Sequence, residues 1–389
     1  LYILRSMRTY DDHLAAVREA AGHRGTVTLP LLEAAQRRAR TATDTVAQFD
    51  SPRFHNSQMD GYALPDTAGG SFTVGPTIAA GADAAALYPG GLDGLAAPIM
   101  TGAPVPRGTA CVVPVEDCTP GEFAEEGAQV TAPASLDGKF VRAAGSDARR
   151  GEVLVPAGTV VDPIVVATLA GQDLTSVTVT RPARVVIVTG GKEIGSQIPD
   201  SNGPMLAAAC AQAGIEVADT LHTDDDPGAL RERLDRAIAT HGPDAVLTSG
   251  GISHGKFEVV RDILEPHGWF GHVAQQPGGP QGLAVYRGTP CICMPGNPVS
   301  TLVSFRLYVA PVLGAAPGPQ RAALEAHEPV AGLPHKERFY RGVLRDGKAR
   351  VLGGAGSHLI AQAVGANCLI RIPAGHSLPG GADVVVYPF

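Results

Sequence analysis

Apolar positions along this chain change their period near Arg184. Before that point, residues 10–22 and 30–42 are rich in Ala, Leu, Arg and Glu and are punctuated by Gly22 and Pro30, which predicts two helices. From Phe49 to about Phe140, Gly, Pro, Val and Thr dominate, and the pattern predicts short strands joined by turns in a small β-domain. Further turns follow from Val141, then the apolar run Ile164–Leu169, read as a helix. After Arg184 short apolar runs alternate with amphipathic ones. Strands are expected at Arg184–Val188, Ile215–Ala218 and Asp244–Thr248. Helices are expected at Ser201–Ala213, with Ser201 as N-cap, and at Pro227–Thr240, Lys256–Leu264 and Pro298–Leu313. That alternation implies a mostly parallel α/β sheet covered on both faces. Beyond a linker at Gly314–Gln320, strands are expected at Arg338–Arg345, Ala349–Leu352, Cys368–Ile372 and Val384–Tyr387, as a small β-module.

Composition narrows the class. With 389 residues and 44% hydrophobic content, the chain exceeds one compact core, so two to four domains are expected. The 48 Gly and 32 Pro, with no collagen-like period, fit many turns. A formal net charge of −7 argues against a nucleic-acid backbone binder. Cys111, Cys118, Cys210, Cys291, Cys293 and Cys368 form no C-x-x-C pair, so they read as buried reduced thiols of a cytoplasmic protein rather than a zinc site or disulfide framework. No apolar run approaches the roughly 18 residues of a membrane span. The start, Leu1–Met7, is too short and too poorly flanked to read as a signal peptide.

Candidate chemistry lies in loops that follow strands. Asp244–Gly255 reads as a buried strand breaking into Gly250-Gly251-Ile252-Ser253-His254-Gly255, and Met294-Pro-Gly-Asn-Pro-Val-Ser300 follows another short strand. Thr189–Glu193 makes a third such loop. In an open α/β sheet ligands bind outside the carboxyl ends of the strands, where these three loops should meet. Glycine lets an anion approach bare backbone amides. Singly, each loop reads as a tightened turn; jointly they define a site. Asp224-Asp225-Asp226 precedes a helix and serves either as a cap or as a carboxylate for Mg²⁺, with Glu258 as its companion or as a solvated helix residue. Asp60 in Met59-Asp-Gly-Tyr-Ala63 and Thr101 in Ile99-Met-Thr-Gly-Ala-Pro104 also fit plain turns, and Arg142 with Asp147 fits a structural ion pair.

These motifs resemble one family, the molybdopterin molybdenumtransferases of the MoeA type, which include the gephyrin E domain. The matching stretches are Asn56–Ala63, Ile99–Ala103, Val112–Asp117, Arg142–Asp147, Asp200–Asn202, Ser249–Gly255, Pro295–Ser300 and Gly356–His358, in the family's order. The resemblance implies four domains: an elongated, discontinuous α+β domain (8–48 and 141–178), an inserted β-domain (49–140), a doubly wound α/β domain similar to molybdopterin adenylyltransferases (179–318), and a C-terminal β-barrel (319–389). It implies a homodimer with the site in a cleft where the α/β domain of one subunit faces the partner. The implied reaction inserts molybdate into adenylylated molybdopterin with Mg²⁺-dependent release of AMP. Contacts with molybdopterin adenylyltransferase and with molybdenum-cofactor acceptor proteins are further implied partners. Molybdate and tungstate have nearly the same size and charge, and the motifs do not distinguish them.

Carried residue by residue, the resemblance gives Asp60 and Thr101 the molybdate side, with Arg142, Asp147 and Glu193 as further catalytic candidates. It gives Thr189, Gly190, Ser249, Gly250, Gly251, Ser253 and Gly255 to the pterin phosphate, Pro295, Gly296, Asn297, Pro298 and Ser300 to the facing wall, and Ser357 to the C-terminal module. Asp225, Asp226 and Glu258 are the metal candidates. The chain departs from the family in three places. Either Lys192 or Glu193 fills an acidic position, Glu258 stands for an aspartate, and Gln276-Pro-Gly-Gly279 replaces Lys-Pro-Gly-Lys. Each missing cation is worth about tenfold in anion affinity at about 1.4 kcal/mol, and Lys192 and Lys256 are candidate replacements. A catalytically impaired paralogue, holding molybdopterin or a protein partner as a scaffold, is the alternative. An adenylyltransferase fits less well, because Met59–Ala63 and the extra β-domains lie outside its single α/β domain.

Overall fold

Arg184–Gly190 (β1) alternates its side chains between two cores, and that alternation organises the larger part of the molecule. A computed structural model describes residues 7–190, 198–223, 226–252 and 258–389. The chain forms two compact units: Leu1–Ala42 with Gly158–Val166 and Thr175–Phe389, and Thr43–Ala157 with Ala167–Leu174.

In the first unit, β1 is joined by α1 (Asn202–Gln212), β2 (Glu216–Thr223), α2 (Pro227–His241), β3 (Ala245–Ser249), α3 (Val259–Leu264), β4 (Gly268–His272), β5 (Pro280–Tyr286), β6 (Thr289–Met294) and α4 (Pro298–Ser304). The sheet order is β2-β1-β3-β6-β5-β4. The first four strands in that order are parallel, and β5 and β4 are antiparallel to their neighbours. Val185, Ile187, Leu247, Ile292 and Met294 face Leu206 and Cys210 of α1 and Val299 and Val303 of α4. Val186, Val188, Val246, Cys291 and Cys293 face Leu230 and Leu234 of α2 and Val260 and Ile263 of α3. Helices therefore cover both faces, as the alternating pattern predicts. Leu206 is fully buried, and truncating it to Ala should cost about 2–5 kcal/mol.

Several elements differ from the sequence reading. The helix expected over 30–42 stops at Gln36. Arg38 turns left-handed at φ 48, and the Ala39 amide reaches back to the Ala34 carbonyl, a Schellman-type closure. The segment before it, Thr26–Pro30, is a strand paired with Ser176–Thr180. The helix expected over Pro298–Leu313 passes through a wide π turn at Phe305–Val309, where Pro311 supplies no amide hydrogen to the ladder. Strands β4 and β5 went unread because glycines interrupt them. Phe270 lies over Gly282 on the adjacent strand, and a Cβ there would meet its ring at 2.4 Å.

The C-terminal strands Glu337–Arg345, Lys348–Val351, Gln320–Leu324, Asp383–Pro388 and Cys368–Ile372 pair in that order and close through Glu337–Arg345 with Cys368–Ile372, a five-stranded barrel. Gln320–Leu324, which begins at the last residue of the expected linker, is one of the five. Ala322, Leu324, Ile370, Ile372, Val384 and Val386 fill it.

The second unit is built of small antiparallel sheets. Gly61–Leu64 lies between Ala97–Ile99 and Cys111–Pro114, and Asn56–Ser57 pairs with Val141–Arg142. Tyr62 and Leu64 point into one core and Ala63 into the other. A Cβ on Gly61 would meet the Val113 carbonyl oxygen at 2.0 Å, so only glycine permits this strand spacing. Among the described residues no helix is long and apolar enough to cross a membrane.

Candidate functional site

The carboxyl ends of β1, β3 and β6 open into a cavity of about 1010 Å³. Its position follows from topology: β1 and β3 are adjacent, and the chain leaves them toward opposite sides of the sheet. At the end of β1, the buried Thr189 hydroxyl donates to Asp200 Oδ2 at 2.7 Å and lies 3.2 Å from His222 Nδ1. Asp200 Oδ1 accepts the Asn202 and Gly203 amides, each at 3.0 Å. Asp200, rather than Ser201, thus caps α1; Ser201 makes no side-chain cap bond. A Cβ at Gly203 would meet Asp200 Oδ2 at 2.6 Å. Gly190, at φ 133, passes so close to the Thr223 carbonyl that a Cβ would stand 2.5 Å from it.

The second wall joins β3 to the Pro295–Asn297 turn. The Ser249 hydroxyl lies 3.0 Å from Thr301 Oγ1, which donates to the Pro295 carbonyl at 2.6 Å. Gly250 and Gly251 are both left-handed, at φ 93 and φ 69, and the Gly250 amide donates to the Met294 carbonyl. Gly250 and Gly296 stack backbone on backbone: a Cβ on Gly296 would stand 3.2 Å from the Gly250 Cα. Asn202 Nδ2 donates to the Gly296 carbonyl at 2.7 Å, tying the two walls together. Asn202 Oδ1 and Thr223 Oγ1 are buried and have no hydrogen-bond partner among the described residues. An orphaned acceptor in a polar cavity is a place for a ligand N–H.

The barrel closes the rim. Asn297 Nδ2 donates to Ser357 Oγ at 3.0 Å, and the Val299 amide donates to the Ser357 carbonyl at 3.0 Å. Lys336 and His358 from the C-terminal module also line the cavity, as does His272 of β4. Gln276 and Gly279 form an uncharged stretch of its wall.

Of the residues singled out in the sequence, the structure brings Thr189, Gly190, Ser249, Gly250, Gly251, Glu258, Pro295, Gly296, Asn297, Pro298, Ser300 and Ser357 to this one cavity. Asp226 does not line it; its Oδ1 caps α2, accepting the Gly228 amide at 2.8 Å. Glu193, Ser253, Gly255 and Asp225, like Lys192 and Lys256, lie outside the described residues. Asp200, Asn202, Thr223, His272, Lys336 and His358 were missed as site residues. Asp200-Ser-Asn202 carried a signal in the motif match, whereas Lys336 carried none, because it comes from another module.

Metal ligation by oxygen is chemically suited to the cavity. The Asp200 and Glu258 carboxylates both line it, and Mg²⁺ is commonly held by one or two carboxylates plus substrate phosphates. Among the described residues no group of three or more His, Cys, Asp or Glu side chains is placed to hold an ion by protein ligands alone.

The second unit carries its own polar cluster. Asp60 Oδ1 accepts both the Thr101 amide at 2.6 Å and the Thr101 hydroxyl at 2.8 Å. The Thr101 amide first, and its hydroxyl second, hold the exposed Asp60 carboxyl below the usual carboxylate range. Arg142 Nη1 donates to Asn56 Oδ1 at 3.2 Å, and the Ser51 hydroxyl donates to Asp147 Oδ2 at 3.2 Å. Arg142 and Asp147 thus have separate partners.

Comparison with known proteins follows this division. Three family models match: the MoeA N-terminal region (domain I and II) over residues 8–172, a probable molybdopterin binding domain over 185–315, and the MoeA C-terminal region (domain IV) over 323–389. Molybdopterin molybdenumtransferase 2 of Mycobacterium tuberculosis is 35% identical over 401 residues, covering 94% of this chain and 96% of the relative. A molybdopterin molybdenumtransferase of Nostoc is 31% identical over 379 residues, covering 89% and 85%. A crystal structure of the molybdopterin biosynthesis MoeA protein from Pyrococcus horikosii superposes with a TM-score of 0.73 at 26% identity, covering 98% of this chain and 99% of that one.

Proposed function

The chain belongs to the molybdopterin molybdenumtransferase family, a transferase family of molybdenum-cofactor biosynthesis, and from that premise we propose that it inserts molybdate into adenylylated molybdopterin and releases AMP. The cavity that joins Thr189, Gly250, Gly296 and Ser357 at one sheet edge carries this reading. Its volume of about 1010 Å³ suits a dinucleotide-sized ligand. Bare backbone at Gly250, Gly251 and Gly296 admits a phosphoanhydride closely, and Lys336 supplies a cation at the rim. Asn202 Oδ1 is placed to accept an N–H from a pterin ring.

Asp200 holds Thr189 and the start of α1 in register, so the wall is set before substrate arrives. In the reaction water attacks the molybdopterin-side phosphorus, its bond to the bridging oxygen breaks and AMP leaves with that electron pair; the two dithiolene thiols replace one molybdate oxygen, which departs with their two protons as water. Mg²⁺, held by Glu258 and Asp200 with Asp225 as a further candidate, would neutralise the phosphate charge when bound. Asp60 carries its charge down to lower pH than an ordinary carboxylate and repels a dianion at contact, so it orients molybdate only through an intervening donor such as the Thr101 hydroxyl. The chain works as a homodimer, and molybdopterin adenylyltransferase and cofactor-acceptor proteins are its proposed partners.

The test is direct. With adenylylated molybdopterin, molybdate and Mg²⁺, one AMP should appear for each molybdenum inserted. Consumption of ATP, or insertion with no AMP, would contradict it. The uncharged wall at Gln276 and Gly279 favours a second reading, a scaffold that holds molybdopterin without turnover. Restored molybdoenzyme activity in a strain lacking its insertase would exclude that reading.

A further inference from the structure

At the opposite, amino-terminal edge of the α/β sheet, four arginines surround a second cavity. Arg24, Arg38, Arg40 and Arg181 line a space of about 200 Å³, closed by the Gly214 turn before β2 and by the Gly314 turn. The chain as a whole is acidic, with 38 Asp and Glu against 31 Lys and Arg, so four convergent cations run against its overall balance. Asp244 faces two of them: Arg181 holds it with two contacts of 3.1 and 2.5 Å, and Arg24 feels its charge.

Arg24 and Arg40 are anchored rather than loose. Arg24 donates to the carbonyls of Arg181 at 3.0 Å and Val312 at 3.3 Å. Arg40 donates to the carbonyls of Gly158 at 2.8 Å and Ala316 at 3.2 Å. Each such pair of bonds uses two of a guanidinium's five N–H groups and fixes its plane. Burial lowers the pKa of Arg24, with Asp244 opposing and Arg181 adding; burial and then Arg38 lower that of Arg40. Arg24 and Arg40 are thus partly desolvated and each is repelled by a neighbouring guanidinium, whereas Arg38 is exposed and the exposed Arg181 is raised by its bond to Asp244; a bound anion would relieve the first pair. Arg38 reaches the cavity from a left-handed backbone at φ 48, a conformation that disfavours a side chain.

We propose that this cavity is a binding site for a small dianionic oxyanion of the phosphate class, separate from the transferase cavity. Its volume is below that of a drug-sized pocket, and guanidinium forks match tetrahedral oxyanions with paired, charge-assisted hydrogen bonds. Free phosphate and the terminal phosphate of an ester share this chemistry.

Calorimetric titration of the whole chain at fixed ionic strength, with inorganic phosphate, sulfate and AMP as separate probes, tests the proposal. Wild type should show saturable phosphate binding that raises its thermal stability. Arg40→Gln should weaken it at least about tenfold, the loss of one charged partner. Because Arg40 also anchors the Gly158 carbonyl, Arg38→Gly provides the control for folding. It removes a cation and relieves the backbone, so it should fold at least as well and still bind phosphate at least about fivefold more weakly. Because AMP also fits the transferase cavity, only the part of its binding that Arg38→Gly removes counts here: if that part exceeds phosphate in affinity, an ester is the source, and if phosphate exceeds it, the free ion is. Absence of saturable binding in wild type, or unchanged affinity in the well-folded Arg38→Gly protein, would overturn it.

Discussion

The large cavity and the Asp60–Thr101 cluster are both polar, but they are built in opposite ways. Around the cavity nearly every functional group is held by a second one. Thr189 is bonded to Asp200, Asp200 to the start of α1, Asn202 to Gly296, Ser249 to Thr301, and Asn297 to Ser357. In the second unit Asp60 sits exposed beside a small antiparallel sheet, its carboxylate held by the Thr101 amide and hydroxyl. Preorganisation by burial gives a shaped space in the first unit, whereas the second offers charge on a surface. Chemistry that needs several groups held in one geometry is better served by the first.

Breaking the cavity should have the largest effect. Gly190→Val forces a side chain onto a backbone at φ 133 and against the Thr223 carbonyl. It should abolish transferase activity and cost about 1–3 kcal/mol or more in urea unfolding. Gln276→Val, on the exposed part of the same wall, should do neither.

Acid should separate the two regions next. His13 lies in the first unit, packed edge-on against Tyr308 at 4.6 Å and near Trp269 at 5.4 Å. Burial first, and Arg8 second, push its pKa down to about 3. A base whose folded pKa lies below its unfolded value of about 6.5 stabilises the fold above pH 6.5. That contribution is lost as pH falls from about 6.5 toward about 3. Because Tyr308 hydrogen-bonds Gln275 in the cavity wall, acid should loosen the cavity in this window. His13→Asn should flatten the decline, measured as unfolding midpoint against pH. Asp60, whose pKa is depressed, should lose its charge only below the usual carboxylate range.

Paired neutralisation gives a smaller, sharper contrast. Asp200→Asn removes a charge that accepts one hydroxyl and two amides, and should cost about 1.5–3 kcal/mol of stability along with activity. Asp60→Asn should leave urea unfolding unchanged and reduce only turnover. Equal stability losses would erase the distinction between built and surface sites. Lys336→Ala should have the mildest effect, raising KM about tenfold with kcat little changed.

Much of this was legible in the residues. Gly250-Gly251 and Pro295-Gly-Asn-Pro298 stand out because left-handed turns and strand-to-helix breaks demand those residue types. What was not legible depends on tertiary contact. Asp200 rather than Ser201 caps α1 because Thr189 fixes its carboxylate from the neighbouring strand. Strands β4 and β5 hide behind glycines that make room for aromatic rings. Asp226 satisfies its own helix, as its position before Pro227 allowed. Lys336 joins the cavity only because the barrel packs onto the α/β domain.

Titrating adenylylated molybdopterin into wild-type protein and into Gly296→Val, by calorimetry, tests the central claim most directly. A Cβ at Gly296 would stand 3.2 Å from the Gly250 Cα, so a larger side chain there fills the crossing of the two glycine loops. One saturable site per chain in wild type, weakened a hundredfold or more in the variant while Asp60→Asn binds normally, is the predicted result. Unchanged affinity in a folded Gly296→Val protein would contradict it.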